Sequence, residues 1–516
     1  RDLNRSQHAH CSSVCCMYAI KEALIAKEHS DRELDCAIFY MDMRTYGKDF
    51  ERCYMQARDR EGVRFIHSRI HTIEQVEESG DLSVQYFDEN KGLQSETFDM
   101  VVLSVGLEVD PSTMALAERL GIELNSGNFC QTSSLGPVST SRPGIYVSGA
   151  FQGPKDIPTS VIDASAAAAS AGEILHPARH SQTQVKDQVP QRDVLGDVPR
   201  IGVFVCKCGS NIAGVVDVPA VRDYAATLPY VEYATDNLYT CSQNTQEDIT
   251  RIIKEKNLNR VLVASCTPKT HEPLFQETLI NAGLNKYLFQ MANIRNLCSW
   301  VHKDDPHAAT DKAKDLVRMT VANLALSTPL QEQELDIDQR ALVIGGGLAG
   351  MAAAVSLARQ GHETHVVERT SVLGGQARRL YTTWRGEDIP ALVQELIDQV
   401  EREPNIRLHL KSEIVGVQGY VGNFSTTVRT NNGQEENIAH GVTVVATGAR
   451  EYRPKEYLYG EDPRVKTSLE LDEILRNHPH ELDSVQSTVF IQCVGSRETS
   501  RPYCSRVCCT HSISSA

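Results

Sequence analysis

The sequence has no apolar run long enough to span a bilayer; its longest small-residue stretch, Ala164 to Ala171, adjoins Asp163 and is interrupted by serines. No membrane span is therefore expected. The first residue is Arg1 rather than Met, and no basic-then-apolar targeting segment follows it. The expectation is a piece of a cytoplasmic protein that lacks both natural ends. There is no excess of basic residues either. Lysine and arginine number 52 against 67 acidic residues, a formal net charge of −15, which excludes nucleic-acid binding by phosphate neutralisation. A redox Cys-x-x-Cys is also missing.

What is present is ordinary in bulk and unusual in one residue type. Hydrophobic residues make up 41% and charged residues 23% of 516, the balance of a globular protein with room for three or more domains. Fifteen cysteines are many for a chain without a secretion signal, so metal binding explains them better than a disulfide scaffold. Cys36, Cys53 and Cys130 stand alone and read as small buried hydrophobes. The others are clustered.

The chain also repeats itself. Cys11-Ser12-Ser13-Val14-Cys15-Cys16 returns 493 residues later as Cys504-Ser505-Arg506-Val507-Cys508-Cys509, and Ala19-Ile20 returns in weaker form as Ser512-Ile513. The chain thus covers about one period of a tandem duplication. Four segments are expected between these ends. Residues 1–175 are α/β, followed by a polar linker at 176–199. Residues 200–325 are a small cysteine-rich α/β domain, followed by a linker at 326–338. Residues 339–485 are the nucleotide-binding front of a second unit, and 486–516 begin its next segment.

Residues 341–350 read as a buried strand running into G-x-G-x-x-G, with Gly345, Gly347 and Gly350 in the glycine positions and Leu348 and Ala349 opening an apolar helix. The glycines allow a tight turn and bring backbone N–H groups close to a pyrophosphate at the helix N-terminus. A second strand ends at Glu368, where a carboxylate can accept both ribose hydroxyls. Gly374-Gly375-Gln376 follows, and later Ala446-Thr447-Gly448 after another strand-like run. These additions favour FAD over NAD. The first segment carries the opposite end of such a domain. Val101 to Gly106 reads as a strand ending in glycine, and 144–153 as a strand–glycine element containing Gly149 before an alanine-rich helix. Lys155 is placed either near the flavin ring or on a solvated loop. The two halves belong to two sites completed by further sequence, or pair with each other as a circular permutation; the residues leave both open.

Ser487 to Cys493 reads as a strand at the place where a pyridine-nucleotide loop is expected, yet Cys493, Cys504, Cys508 and Cys509 stand there instead. Four cysteines within seventeen residues at a strand-to-helix loop can converge on one cluster. The first copy has Cys11, Cys15 and Cys16. Its fourth ligand is expected about four residues before Arg1, which corresponds to Arg497. In 200–325, strand-like runs are each followed by cysteine: Cys206 and Cys208, Cys241, Cys266 and, seven residues after the last strand, Cys298. Alternation with helices implies a parallel sheet whose C-terminal edge gathers all five. Four are expected to bind a [4Fe–4S] cluster, with Cys206 or Cys208 the spare and zinc the alternative metal. His271 and His302 read as structural. The expected fold class is α/β: two-dinucleotide, disulfide-reductase-like segments, with 1–175 the C-terminal part of a first flavoprotein unit, flanking a small parallel α/β iron–sulfur domain.

Together, Val203 to Gly214, Leu238 to Gln243, Ala264 to Pro268, Gln492 to Arg497, the two Cys-Ser-x-Val-Cys-Cys elements and Gln152 to Pro158 resemble the flavin- and iron–sulfur-carrying component of heterodisulfide reductase. The resemblance spans essentially the whole chain, in a form similar to a tandem two-copy version of that component. It implies an oxidoreductase with FAD and several [4Fe–4S] clusters. It also implies partners: the other components of a heterodisulfide-reductase-like complex, of a kind that bifurcates electrons, and ferredoxin or another redox carrier. One departure stands out: no C-x-x-C-x-x-C-x-x-x-C ferredoxin run occurs, and no cysteine lies between Gly375 and Gly448. The competing readings are a self-contained FAD-dependent NAD(P)H or disulfide oxidoreductase and a non-catalytic scaffold.

Overall fold

The computed structural model describes residues 10–184 and 189–516. Arg1, and with it the correspondence to Arg497, lies outside the described residues. The N-terminal stretch contains α1 (Cys15–His29), β1 (Ala37–Tyr40), α2 (Phe50–Asp59), β2 (Arg64–His67), β3 (Ile70–Gln75), β4 (Leu82–Asp88), β5 (Gly92–Phe98), α3 (Pro111–Leu120) and α4 (Ile157–Leu175). The middle contains β6 (Ile201–Cys206), α5 (Val218–Ala225), β7 (Val231–Asn237), α6 (Gln243–Glu255), β8 (Arg260–Ser265), α7 (Pro268–Asn281), β9 (Phe289–Asn293) and α8 (Pro306–Ala325). The C-terminal stretch contains β10 (Ala341–Ile344), α9 (Leu348–Arg359), β11 (Thr364–Glu368), α10 (Ile389–Arg402), β12 (Ile406–Leu410), β13 (Ser412–Tyr420), β14 (Asn423–Thr430), β15 (Glu435–His440), β16 (Val442–Val445), α11 (Ser468–Asn477) and α12 (Cys508–Ser515).

Two compact units result. One joins Arg1–Ser181 to Asp336–Ala516; the other is Gln182–Leu335. In the middle unit four parallel strands lie in the order β7-β6-β8-β9. Every residue of β6 and β8 is buried, as a sheet covered on both faces requires. Val203, Val205, Leu262 and Ala264 pack against α5 and α8, while Phe204, Val261 and Val263 pack against α6 and α7. Asp217 and Asp305 cap the helices of the first face by accepting from Ala220 N and Ala308 N. Residues 189–199 are not a free linker. Val194 is buried among α6 and α7, and Arg192 N donates to Gly283 O at 2.8 Å.

In the first unit the parallel sheet β12-β11-β10-β16 has α9 and α10 on one face and the antiparallel meander β13-β14-β15 on the other. The N-terminal stretch supplies a two-stranded parallel sheet, β1-β2, and a second meander, β3-β4-β5. The two stretches pack directly. Helix α4 lies against α9, Arg385 Nη1 donates to Thr132 O at 2.7 Å, and Ser134 N donates to Glu387 Oε1 at 3.3 Å.

Two expected strands are not formed. Residues 101–106 and 487–493 join no sheet, and Val102, Leu103, Val105 and Val489 are 67–80% exposed. Their apolar composition is that of a strand. A strand needs a ladder neighbour, and the two-stranded β1-β2 sheet gives neither segment one. The segment before Gly149 is likewise irregular, with only an isolated Ser139–Tyr146 bridge.

Candidate functional site

Three loops at the C-terminal ends of β10, β11 and β16 form the first site. Gly345 has φ 111°, and a Cβ there would stand 2.4 Å from Ala446 O. A Cβ at Gly350 would stand 1.8 Å from Gly345 O, so the helix starts in backbone contact with the turn. Gly347, by contrast, opens onto free space: nothing lies within 4 Å of a Cβ built there. It caps α9 in an extended conformation, leaving the first amides of Leu348, Ala349 and Gly350 without intrahelical acceptors. This opening at a helix N-terminus fits a pyrophosphate.

Glu368 ends β11 and reaches across the loop. Its Oε2 accepts from Gly346 N at 2.7 Å, and its Oε1 accepts from Thr370 N and Oγ1 at 2.8 Å. Burial alone would raise its pKa, but these donors more than reverse that and hold it below the usual carboxylate value. The charged form keeps acceptor capacity for a ribose hydroxyl. Gly374 (φ 104°) and Gly375 (φ 50°) are both left-handed. Gly374 N donates to Gly346 O at 2.8 Å, and a Cβ on Gly375 would press on Gly347 Cα at 3.1 Å, so the second glycine pair lies directly on the first loop. Gln376 follows in a short turn, and Ala446-Thr447-Gly448 completes the rim after β16, with Ala446 N donating to Ile344 O.

The element with Gly149 (φ 68°) and Lys155 belongs to the same compact unit. Lys155 is not on a solvated loop. Its ammonium is bonded to the Asp163 carboxylate and to Gln152 Oε1, and Gln152 in turn donates to Thr132 Oγ1. The side chains of Lys155 and Asp163 are 8% and 11% exposed. Asp163 is hard to single out in the sequence because it sits in an alanine-rich helix; its eight-residue spacing from Lys155 is the available signal.

In the middle unit all five cysteines fall on the C-terminal edge of the parallel sheet, Cys206 as the last residue of β6 and the others in the loops after β6, β7, β8 and β9. Four lie near enough to act on one another's charge, without closing on a common point. Burial, and then the neighbouring sulfurs of Cys206 and Cys266, push the Cys208 thiol above its usual pKa. Cys241 is raised by burial and by Cys206, Cys266 and Cys208. Thr240 N donates to Cys206 Sγ at 3.5 Å. Cys298 turns the other way: fully buried in the core under α8, it gives its S–H to Ala309 O at 2.9 Å, and no cysteine contributes to its raised pKa. The expected spare was Cys206 or Cys208, but both stand with the group and Cys298 does not. Its place on the edge follows from β9, whereas the direction of its side chain is set by a π-turn at Arg295–Ser299. His302 meets Lys312 Nζ at 3.2 Å.

At the C-terminus the sulfurs of Cys493, Cys504 and Cys508 all act on Cys509, whose thiol is raised first by burial and then by their charge. Arg497 lies near Cys493 and donates from Nε to Glu51 Oε1 at 2.7 Å; Glu51 is 4% exposed and also accepts from Thr45. A cavity of about 440 Å³ opens beside Cys493, with Glu51, Arg58, Arg497 and Glu498 in its wall. Helix α12 is held by the buried Asp472 of α11, which accepts from His511 Nε2 at 3.0 Å, from Ser515 and from Tyr381 N. Asp472 carries no sequence signal beyond its place on an amphipathic helix. In the first copy, Cys15 and Cys16 begin α1 as Cys508 and Cys509 begin α12. Cys15 and Cys16 shift each other in opposite directions, Cys15 down to about 6 and Cys16 up, while the Cys16 thiol donates to Asp42 O at 3.7 Å. None of the fifteen cysteines forms a disulfide.

Among the described residues no three His, Cys, Asp or Glu side chains close on a common point. Burial first, and then the sulfurs beside them, raise Cys208, Cys241 and Cys509, and that crowding of thiols is what an iron–sulfur core, taking four thiolates, would relieve. The donor set is all sulfur, which suits such a core.

A parallel sheet with a glycine-rich first turn, a carboxylate closing the second strand and a meander on one face defines a dinucleotide-binding oxidoreductase fold. The chain belongs to the pyridine nucleotide-disulphide oxidoreductase family, whose model matches residues 36–169 and 339–491. Several curated relatives are named as the A component of heterodisulfide reductase. That of the H(2):CoB-CoM heterodisulfide,ferredoxin reductase of Methanothermobacter thermautotrophicus is 36% identical over 409 residues, 62% of each chain. A protein of Archaeoglobus profundus named as like the same component is 46% identical over 45% of this chain and 33% of its own. That of the ferredoxin:CoB-CoM heterodisulfide reductase of Methanosarcina mazei is 32% identical over 60% of this chain and 51% of its own. The chain thus spans 62% or less of the length of these relatives. Among solved structures, L-proline dehydrogenase from P. horikoshii matches 23% of this chain and 24% of its own at 26% identity and a TM-score of 0.20. No helix among the described residues is long and apolar enough to cross a membrane.

Proposed function

We propose that this chain is an FAD- and [4Fe–4S]-dependent electron-transfer component of a heterodisulfide-reductase-like complex, working in the cytoplasm with other subunits of that complex and with ferredoxin or a comparable one-electron carrier. The observation that carries the reading is the presence of a dinucleotide cradle and the Cys493, Cys504, Cys508, Cys509 loop in one compact unit. Relatives named as iron–sulfur subunits support it.

Bound FAD would exchange electrons in pairs and the clusters would carry them singly. This chain's residues bind and orient. Gly345, Gly347 and Gly350, with the α9 amides, would hold the pyrophosphate, and Glu368 the ribose. Gly374, Gly375, Gln376, Ala446, Thr447 and Gly448 would rim the nucleotide, and Gly149 with Lys155 would close the site from the N-terminal stretch. The packing of α4 on α9 supports pairing of the two half-sites within the chain, giving one flavin site. Cys206, Cys208, Cys241 and Cys266 would hold one cluster and Cys493, Cys504, Cys508 and Cys509 a second. Cys11, Cys15 and Cys16 would be three ligands of a third.

Anaerobic purification followed by visible and EPR spectra tests the reading. A flavin band with reducible cluster signals is the expected result. Absence of both chromophores leaves only a scaffold, and a flavin alone leaves a simple flavoprotein reductase.

A further inference from the structure

The two Cys-Ser-x-Val-Cys-Cys elements share a conformation that their differing third residues do not explain. Ser13 has φ 63° and Arg506 has φ 71°, both in the left-handed region that side-chain-bearing residues rarely occupy. In each copy this turn aims one amide at one sulfur. Ser13 N donates to Cys11 Sγ at 3.4 Å, and Arg506 N donates to Cys504 Sγ at 3.3 Å. The next residue, Val14 or Val507, caps the helix that the Cys-Cys pair begins. A serine and an arginine have no side-chain chemistry in common here. What recurs across 493 residues is the backbone: a left-handed turn, an N–H directed at the first sulfur, and a helix start that presents the next two.

We propose that Arg506 is a positioning residue for the second cluster, as Ser13 is for the first. Its left-handed amide fixes the Cys504 sulfur and withdraws charge from it. This rests on the reading of Cys493, Cys504, Cys508 and Cys509 as cluster ligands. A donor on a ligating sulfur stabilises the more negative, reduced state, so the bond raises the cluster's reduction potential. A carbonyl in the same place would not do this.

The test is a redox titration followed by EPR on the full chain, purified anaerobically. It compares the wild type with Arg506→Ser, Arg506→Gly, Arg506→Val and Arg506→Pro, and with Cys508→Ser as a marker of the second cluster. Ser and Gly keep the amide and tolerate the left-handed turn, so both retain wild-type iron content and potential. Val keeps the amide but resists the turn, and is expected to give a lower potential with the iron retained. Pro has no amide and a φ fixed near −65°, so the signal that Cys508→Ser removes is lost or shifted downward, with FAD content unchanged as the check on folding. If the marker signal exists and Pro and Val leave its potential where Ser and Gly do, the inference is overturned while the cluster reading stands. If Cys508→Ser removes no signal and no iron, the cluster reading itself fails and takes the inference with it.

Discussion

Lys155, just before the Asp156 cap of α4, and Asp163, in the second turn of that helix, form a buried ion pair in the segment that the N-terminal stretch lays against α9. Its burial makes it a strong structural constraint. Removing one partner leaves the other charge in a poorly solvated place, a loss of about 3–5 kcal/mol. Asp163→Ala should therefore lower the thermal midpoint sharply, and the double variant Lys155→Met, Asp163→Leu should recover much of it. Thermal unfolding of the three chains measures this.

The glycines of the cradle separate binding from folding. Gly350→Ala puts a Cβ into Gly345 O and should cost both stability and flavin. Gly347→Ala meets nothing in the protein, yet fills the opening assigned to the pyrophosphate. The expected result is an unchanged midpoint for the flavin-free chain with at least a tenfold loss of FAD affinity, about 1.4 kcal/mol or more. Flavin titration by fluorescence quenching, alongside calorimetry, checks both.

In the middle unit, Cys298→Ala should retain the cluster, because its sulfur faces Ala309 O in the core. Each of Cys206→Ala, Cys208→Ala, Cys241→Ala and Cys266→Ala should lose it, about four irons per chain. Iron and sulfide assays on the five variants decide which cysteine is the spare.

Three histidines make the first unit acid-sensitive. His365 and His409 are stacked, with Nδ1 of one 2.9 Å from Nε2 of the other, and His440 is buried against Thr426. Burial lowers all three pKa values below the ordinary 6.5; His409 and Arg340 lower His365 further, while Glu363 and Glu436 partly offset this. The unfolded chain then binds more protons than the folded one just below 6.5, so stability is full above that pH and falls as pH drops through it. His511 has the opposite sign, raised by Asp472. Urea midpoints should decline from pH 7.5 to 5.5, and His409→Gln should flatten the decline.

Much of the cradle was legible in the residues because its demands are steric. Gly345, Gly350, Gly374 and Gly375 stand where a Cβ would strike backbone or a left-handed φ is required. The gathering of cysteines on one edge was equally legible, since alternating strands and helices fix which ends meet. Side-chain direction was not: the edge position of Cys298 is a matter of topology, but its turn into the core is a matter of one irregular loop. Strand pairing was not legible either. Apolar runs at 101–106 and 487–493 show a preference for extended backbone, while a ladder depends on a neighbour that no local pattern encodes. The left-handed Ser13 and Arg506, each costing about 1–2 kcal/mol, were invisible because neither is glycine.

We propose that this chain carries one flavin and two clusters, the flavin and one cluster in the first compact unit and the other cluster in the middle unit. The most direct measurement is the flavin, iron, sulfide and zinc content of the anaerobically purified 516-residue chain, paired with a reductive EPR titration. About one FAD and about eight irons with matching sulfide per chain, reducible in single-electron steps, is the predicted result. Zinc in place of iron, or iron without flavin, would contradict it.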